Sequence, residues 1–365
     1  MKALAVHPGD RTVRLVDVPE PGPLAPDGVR ARVLSVGVCG TDREIASFLY
    51  GEVPSGSPYI VLGHECLAEV VEAGPEVSSL APGDLVVPMV RRPCAHLWCR
   101  PCRDGRQDFC TSGNFMERGI KGLHGFMGEV IDDVERYFVK VPAALRDVGV
   151  LVEPLTIAEK AAEQAGALLR RLPGELAKAT GFQRAVVLGA GPVGLLGAMK
   201  LVSAGWETWV YSKGDASSPN AEVVTAMGAR FVSSDRHAPA DLADMVGGIS
   251  LVYEATGAAS VSFDVMTVLG TNGVFVFTGV PGRRGHLEID AALIMRNLVL
   301  KNQVVVGTVN AGRSSFESAV SDLGVFLERF PEAVHALVTS RIPLEGARDA
   351  VLTPPAGIKT VVEVA

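Results

Sequence analysis

"RAVVLGAGPVGLLGAMKLV", residues 184–202, decides the fold. It opens as a short apolar run of strand length, passes through Gly189-x-Gly191-x-x-Gly194, and continues with the spacing of a helix that Pro192 and Val193 begin. The glycines permit a tight turn, let the backbone approach a pyrophosphate, and allow close helix–strand packing, while free N–H groups at the helix start can receive phosphates. A lone fingerprint of this kind is weak. With a strand before it and a helix after it, it marks a dinucleotide-binding unit.

Downstream, five further strand-like runs follow: "ETWVYS" (207–212), "RFVSS" (230–234), "SLVYEATG" (250–257), "GVFVFTGV" (273–280) and "VVVGTV" (304–309), with helical stretches between them. Six strands joined by crossovers make a doubly wound parallel sheet, so the fold class is α/β. The end of the second strand chooses the nucleotide, because an acid there binds the ribose 2′-hydroxyl and repels a 2′-phosphate. Here Ser212 and Lys213 stand in that place and Asp215 comes only after a glycine. A hydroxyl and a cation suit a 2′-phosphate, so NADP is preferred, with NAD as a second acceptor. The bland reading of Lys213 is a solvated surface charge.

Upstream, "RRPCAHLWCRPCRDGRQDFC" (91–110) holds four of the six cysteines: Cys94, Cys99, Cys102 and Cys110. Four thiolates on a short lobe suit the closed tetrahedral shell of a structural zinc; disulfides are the weaker reading in a reducing compartment. Such a site leaves no position open for substrate. The chemistry therefore belongs elsewhere, and Cys39 in "VGVCGTD" with His64 and Glu65 in "LGHE" can assemble a second metal site with an acid from further along. Taken singly, Cys39 reads as a small buried hydrophobe and His64 as a satisfied core histidine.

The chain has 365 residues, 48% of them hydrophobic and 21% charged, enough for two domains. A net charge of −7 gives no electrostatic footprint for nucleic acid or an anionic membrane. The N-terminus lacks a signal-peptide core and no run is long enough to span a bilayer, so a soluble, cytoplasmic protein is expected.

"GVCGTD", "GHE", the four-cysteine lobe and the glycine fingerprint, in that order, resemble the zinc-dependent medium-chain dehydrogenases. Within them "VRRP", "GRQDFC", "ERGIKGLHGFM", "EPLTIAEK", "EATG" and "GTVN" resemble the archaeal-type glucose dehydrogenase branch. The resemblance implies a GroES-like, mostly-β catalytic domain from residues 1–155 and 311–365, with the zinc lobe at about 91–112, and a Rossmann domain from 156–310. It makes Cys39 and His64 the anchoring ligands of a catalytic zinc, completed by Glu65 and Glu153. Thr41 would begin a proton relay and Asp42 would orient His64. Without that context "CGTD" equally reads as a capped polar turn, and Glu153 as an acid at a helix start.

Glu117, Glu153, Asn310 and Thr41 become sugar contacts by the same resemblance, and Thr256, Gly257 and Asn310 join the cofactor contacts. His124 is expected to make a structural backbone hydrogen bond, with lining the cleft as the other reading, and Arg91 and Arg92 read as substrate or domain contacts or, blandly, as solvated charges. The lobe departs from the family, with four residues rather than two between its first cysteines, which leaves His96 as a competing ligand. The implied activity is zinc-dependent, NAD(P)-linked oxidation of an aldose at C1 to an aldonolactone, by a homodimer or homotetramer. A polyol, secondary-alcohol or sugar-tailoring dehydrogenase shares every zinc and nucleotide feature; Glu117 with Asn310 favours the aldose. A non-catalytic NADPH-binding protein would show damaged ligands, and a nucleic-acid-binding zinc ribbon would need a basic face.

Overall fold

The computed structural model describes residues 1–173, 183–282 and 285–365. Backbone contacts divide the chain into two units. One comprises Met1–Thr156, Asn310–Val325 and Leu337–Ala365, the other Ile157–Val309 and Phe326–Ala336.

In the second unit the strand Arg184–Leu188 is central, and its Ala185, Val186, Val187 and Leu188 are fully buried, as a strand covered on both faces requires. The parallel sheet runs in the order Arg230–Ser233, Glu207–Ser212, Arg184–Leu188, Ile249–Glu254, Leu269–Phe277, Val304–Gly307. Strand order reverses on either side of the first strand, which puts the fingerprint turn at the switch point where such sheets bind ligands. Val186, Leu188, Trp209, Tyr211, Val252 and Phe275 form the heart of the core on this sheet. The fourth strand stops at Glu254, short of the expected run. The Glu254 carboxylate captures the N–H groups of Thr256 and Gly257, and Gly257 turns through φ +65°. Residues 326–336 also group with this unit, not with the 311–365 block expected from the sequence. Phe326 is fully buried, and Arg329 Nη1 donates to the Ser203 carbonyl at 3.1 Å.

The first unit is mostly β. Its seven-stranded sheet is organised by the long strand Gly28–Gly37, which pairs antiparallel with Glu65–Ala73, Val130–Val134 and Lys359–Glu363. Register opposite Gly37 is occupied by Glu65 on one side and Val361 on the other, so two segments far apart in sequence meet beside Cys39. Residues Arg91–Arg92 pair antiparallel with Met116–Arg118, placing Arg91 opposite Glu117, and the cysteine lobe loops out between them. Among the described residues no helix is long and apolar enough to cross a membrane.

Candidate active site

Cys39 ends the turn after Gly28–Gly37 and caps the helix Gly40–Ala46; His64 stands just before the neighbouring strand, which Glu65 opens. One ligating atom from each of Cys39, His64 and Glu65 lies within 4.8 Å of the others. Asp42 is fully buried and accepts from the N–H of Cys39 at 2.9 Å and of Gly63 at 3.1 Å. It therefore ties the start of the helix to the loop before His64 and lies beside His64 at once. Its Oδ1 lies 3.4 Å from His64 Nδ1, an ion-pair distance without good hydrogen-bond alignment.

Burial opposes charge on both groups. Even so, Asp42 and the Cys39 sulfur hold His64 well above the usual imidazole range, and His64 with the two N–H donors holds Asp42 below the usual carboxylate range. A buried imidazole and carboxylate and a half-buried thiol gathered this closely, with the Asp42 carboxylate on the Nδ1 side, form a donor set suited to zinc.

Lys359 was not anticipated. It is 3% exposed and its Nζ donates to both Glu65 oxygens, at 2.8 and 2.6 Å. Burial would lower its pKa, but Glu65 raises it. Gly37 was also missed: a Cβ there would overlap Glu65 Oε2, so only glycine admits the carboxylate. Glu153 stands in the first turn of the helix Val152–Leu169. It is buried, and burial pushes its carboxyl up to about 7, with His64, Glu65, Lys359 and Asp42 close enough to act on it. It does not belong to the 4.8 Å cluster, which holds three residues among those described. The Thr41 hydroxyl has no hydrogen-bond partner among the described residues.

Glu117 and Asn310 come together: Asn310 Nδ2 donates to Glu117 Oε1 at 2.8 Å. Arg91 and Arg92 are not solvated. They are 5% and 6% exposed, Arg91 binds Glu117, and Arg92 binds Asp133 at 2.5 Å while lying over the Tyr137 ring. Strand pairing sets Arg91 beside Glu117, while Arg92, the next residue along, packs against Asp133 and Tyr137. His124 Nδ1 accepts from the Val61 N–H at 3.2 Å, a structural bond.

In the lobe the sulfurs of Cys94, Cys99, Cys102 and Cys110 also lie within 4.8 Å, with no disulfide among them. Hydrogen bonding by Thr111 pulls the Cys99 thiol down to about 5, while burial pushes Cys102 up to about 12. Four crowded sulfurs fit a tetrahedral metal. His96 does not compete. Its Nε2 meets Asn114 Nδ2 at 2.8 Å and its ring stacks on exposed Trp98, so the longer loop carries it away from the sulfurs.

At the fingerprint, Gly189 takes φ +98° and a Cβ on it would meet Thr256 Cγ2 at 2.6 Å. A Cβ on Gly194 would overlap the Gly189 carbonyl oxygen, whereas one on Gly191 would meet nothing within 4 Å. Open space at Gly191, beside the start of the helix Pro192–Ser203, fits an approaching pyrophosphate. Ser212 Oγ accepts from the Ala190 N–H at 3.2 Å, Lys213 is exposed and has no partner among the described residues, and Asp215 is held at 2.6 Å by Arg236, a second cation at this turn that the sequence reading missed. The Thr256 hydroxyl donates to Glu254 at 2.6 Å.

The alcohol dehydrogenase GroES-like domain family matches residues 25–143, and the glucose dehydrogenase C-terminus family matches residues 146–364. The chain is 36% identical to a glucose 1-dehydrogenase of Methanocella arvoryzae and 40% identical to one of Thermoproteus tenax, each time over 100% of this chain and 99% of the relative. Among solved structures, Haloferax mediterranei glucose dehydrogenase in complex with NADP, Zn and gluconolactone is similar with a TM-score of 0.89 and 33% identity, over 100% of this chain and 99% of that one.

Proposed function

Because the chain belongs to the glucose dehydrogenase family of zinc-dependent medium-chain dehydrogenases, we propose that it oxidises an aldose at C1 to the aldonolactone, with NADP as the preferred acceptor. The cluster of half-buried Cys39 with buried His64 and Glu65 carries this reading. Zinc held there would supply a Lewis acid that eases loss of the C1 hydroxyl proton, and the nicotinamide would take the hydride from C1.

The protein's own groups do the rest. Asp42, 3.4 Å from His64 Nδ1, would orient the imidazole so that Nε2 is the ligating atom. Thr41 Oγ1 accepts the hydroxyl proton as it releases its own towards water. Glu117 and Asn310 replace the hydration of sugar hydroxyls, and Glu153 would bring a fourth ligand, an oxygen, to the metal or a contact to the sugar. The helix start at Gly191, Pro192, Val193 and Gly194 receives the pyrophosphate, with Gly189, Thr256 and Gly257 shaping the turn against it. Asn310 adds a further contact to the cofactor. Ser212 and Lys213 meet the 2′-phosphate. The four lobe cysteines hold a structural zinc.

A homodimer or homotetramer in the cytoplasm completes the reading. The helix Ala291–Leu300 buries none of its residues, exposing Met295, Val299 and Leu300 next to the edge strand Val304–Gly307, an apolar face suited to a second copy. None of the six cysteines is paired in a disulfide, which suits a reducing compartment.

The test offers zinc-loaded protein glucose, galactose, xylose and sorbitol with NADP or NAD, and follows nicotinamide reduction. Turnover with an aldose and not with sorbitol, lost in Cys39→Ser, is expected. Turnover with sorbitol alone would move the reading to a polyol dehydrogenase on the same scaffold. Silence with every sugar despite tight NADPH binding would overturn it.

A further inference from the structure

We propose that Arg91 is a positioning residue that aims the carboxylate of Glu117 at the sugar and so sets which hydroxyl the enzyme demands, an inference that rests on the aldose reading above. Arg91 Nε and Nη2 donate to Glu117 Oε1 at 3.1 and 2.9 Å, and Asn310 Nδ2 donates to the same oxygen at 2.8 Å. Three donors occupy Oε1. Oε2 receives none from the described residues. The side chain thus offers one oriented, acceptor-only atom, and its natural complement is a hydroxyl donor.

Both clamps are themselves held. Arg91 and Glu117 face each other across paired strands, the guanidinium carbon lies 3.7 Å from the centre of the Phe115 ring, and Nη1 reaches the Asp108 carbonyl at 3.5 Å. Asn310 takes φ +57° and its Oδ1 accepts from the Ala311 N–H at 2.8 Å, so its amide cannot turn away. Glu117 is 5% exposed, and the charge of Arg91 offsets its own in that setting. The same segment is fastened to the metal cluster: a Cβ on Gly119 would overlap the Gly63 carbonyl, and Phe126 N–H donates to that carbonyl at 2.9 Å, one residue before His64. A sugar whose C1 hydroxyl meets the cluster is therefore offered Glu117 Oε2 along the same stretch of chain. Two N–H groups from one planar fork fix a carboxylate's direction; a lysine ammonium supplies charge without the fork.

The experiment compares wild type with Arg91→Lys, Phe115→Leu and Glu117→Gln as zinc-loaded proteins, measuring kcat and KM for glucose and its 2-, 3-, 4- and 6-deoxy analogues, the NADP dissociation constant, and the melting temperature. In wild type one deoxy sugar is expected to lose roughly 10–100-fold in kcat/KM. Arg91→Lys should raise the glucose KM about tenfold with a smaller change in kcat, leave NADP binding unaltered, and flatten the deoxy series. Phe115→Leu, which frees the guanidinium without touching the ion pair, should shift KM the same way by less; it carries the test if Arg91→Lys does not fold. If Glu117→Gln disturbs the deoxy series while Arg91→Lys and Phe115→Leu keep the wild-type profile, Arg91 is structural and the proposal falls. If all three leave the profile untouched in an active enzyme, the assignment of Glu117 to the sugar falls instead.

Discussion

A lysine with 3% of its surface exposed must be matched by charge, and Lys359 is matched by Glu65 through both carboxylate oxygens. The ligand cluster is therefore already part of an ion pair buried on both sides. Lys359→Met should destabilise metal-stripped protein by about 3–5 kcal/mol, because it leaves a carboxylate buried without its partner. Denaturant midpoints measure this, and adding Glu65→Leu should restore part of the loss, since the two changes share one interaction. Cys39, His64 and Glu65 were legible as candidates because their residue types can ligate a metal and their motifs carry the resemblance, though each alone reads as a core residue. Lys359 was not: it lies 294 residues from its partner, inside "IKTVVEVA", which reads only as a strand.

At the scale of the element, the turn from Arg184–Leu188 into the helix Pro192–Ser203 separates a glycine needed for folding from one needed for binding. Gly194→Ala drives a methyl into the Gly189 carbonyl and should destabilise the protein by about 1–3 kcal/mol. Gly191→Ala meets nothing within 4 Å and should change stability by less than about 0.5 kcal/mol, yet weaken NADP by about tenfold or more by filling the path of the pyrophosphate. Melting curves and NADPH fluorescence titrations distinguish the two; equal stability losses would show that the space at Gly191 is structural. This element was readable in advance because strand, turn and helix signals fall within nineteen consecutive residues. The preference for NADP was readable only in part, since Arg236 reaches the turn from the following strand's end.

Over the whole molecule, the two metal clusters lie in one unit and differ in kind. The lobe offers four sulfurs and no open position; the other cluster mixes sulfur, imidazole and carboxylate. Cys102→Ser should lower zinc content by one per chain and lower the melting temperature, while the Cys39, His64 and Glu65 site keeps its metal. Metal analysis beside a thermal melt tests this, and loss of both metals would show that the sites are not independent.

The sequence by itself determined the parallel nucleotide sheet, written in periodicity and glycine placement within a short window, and singled out the four lobe cysteines by their spacing, whereas Cys39, His64 and Glu65 were candidate ligands that became a catalytic set only with the resemblance of "GVCGTD" and "GHE". Only the tertiary structure decided that Arg91 and Arg92 are buried, that His96 turns away from the lobe sulfurs, that Glu153 stands outside the tight cluster, and that residues 326–336 group with the nucleotide unit. Those outcomes depend on strand register and on which distant charges share a buried space. Arg91 meets Glu117 across 26 residues and Glu117 meets Asn310 across 193, distances at which local pattern carries no information.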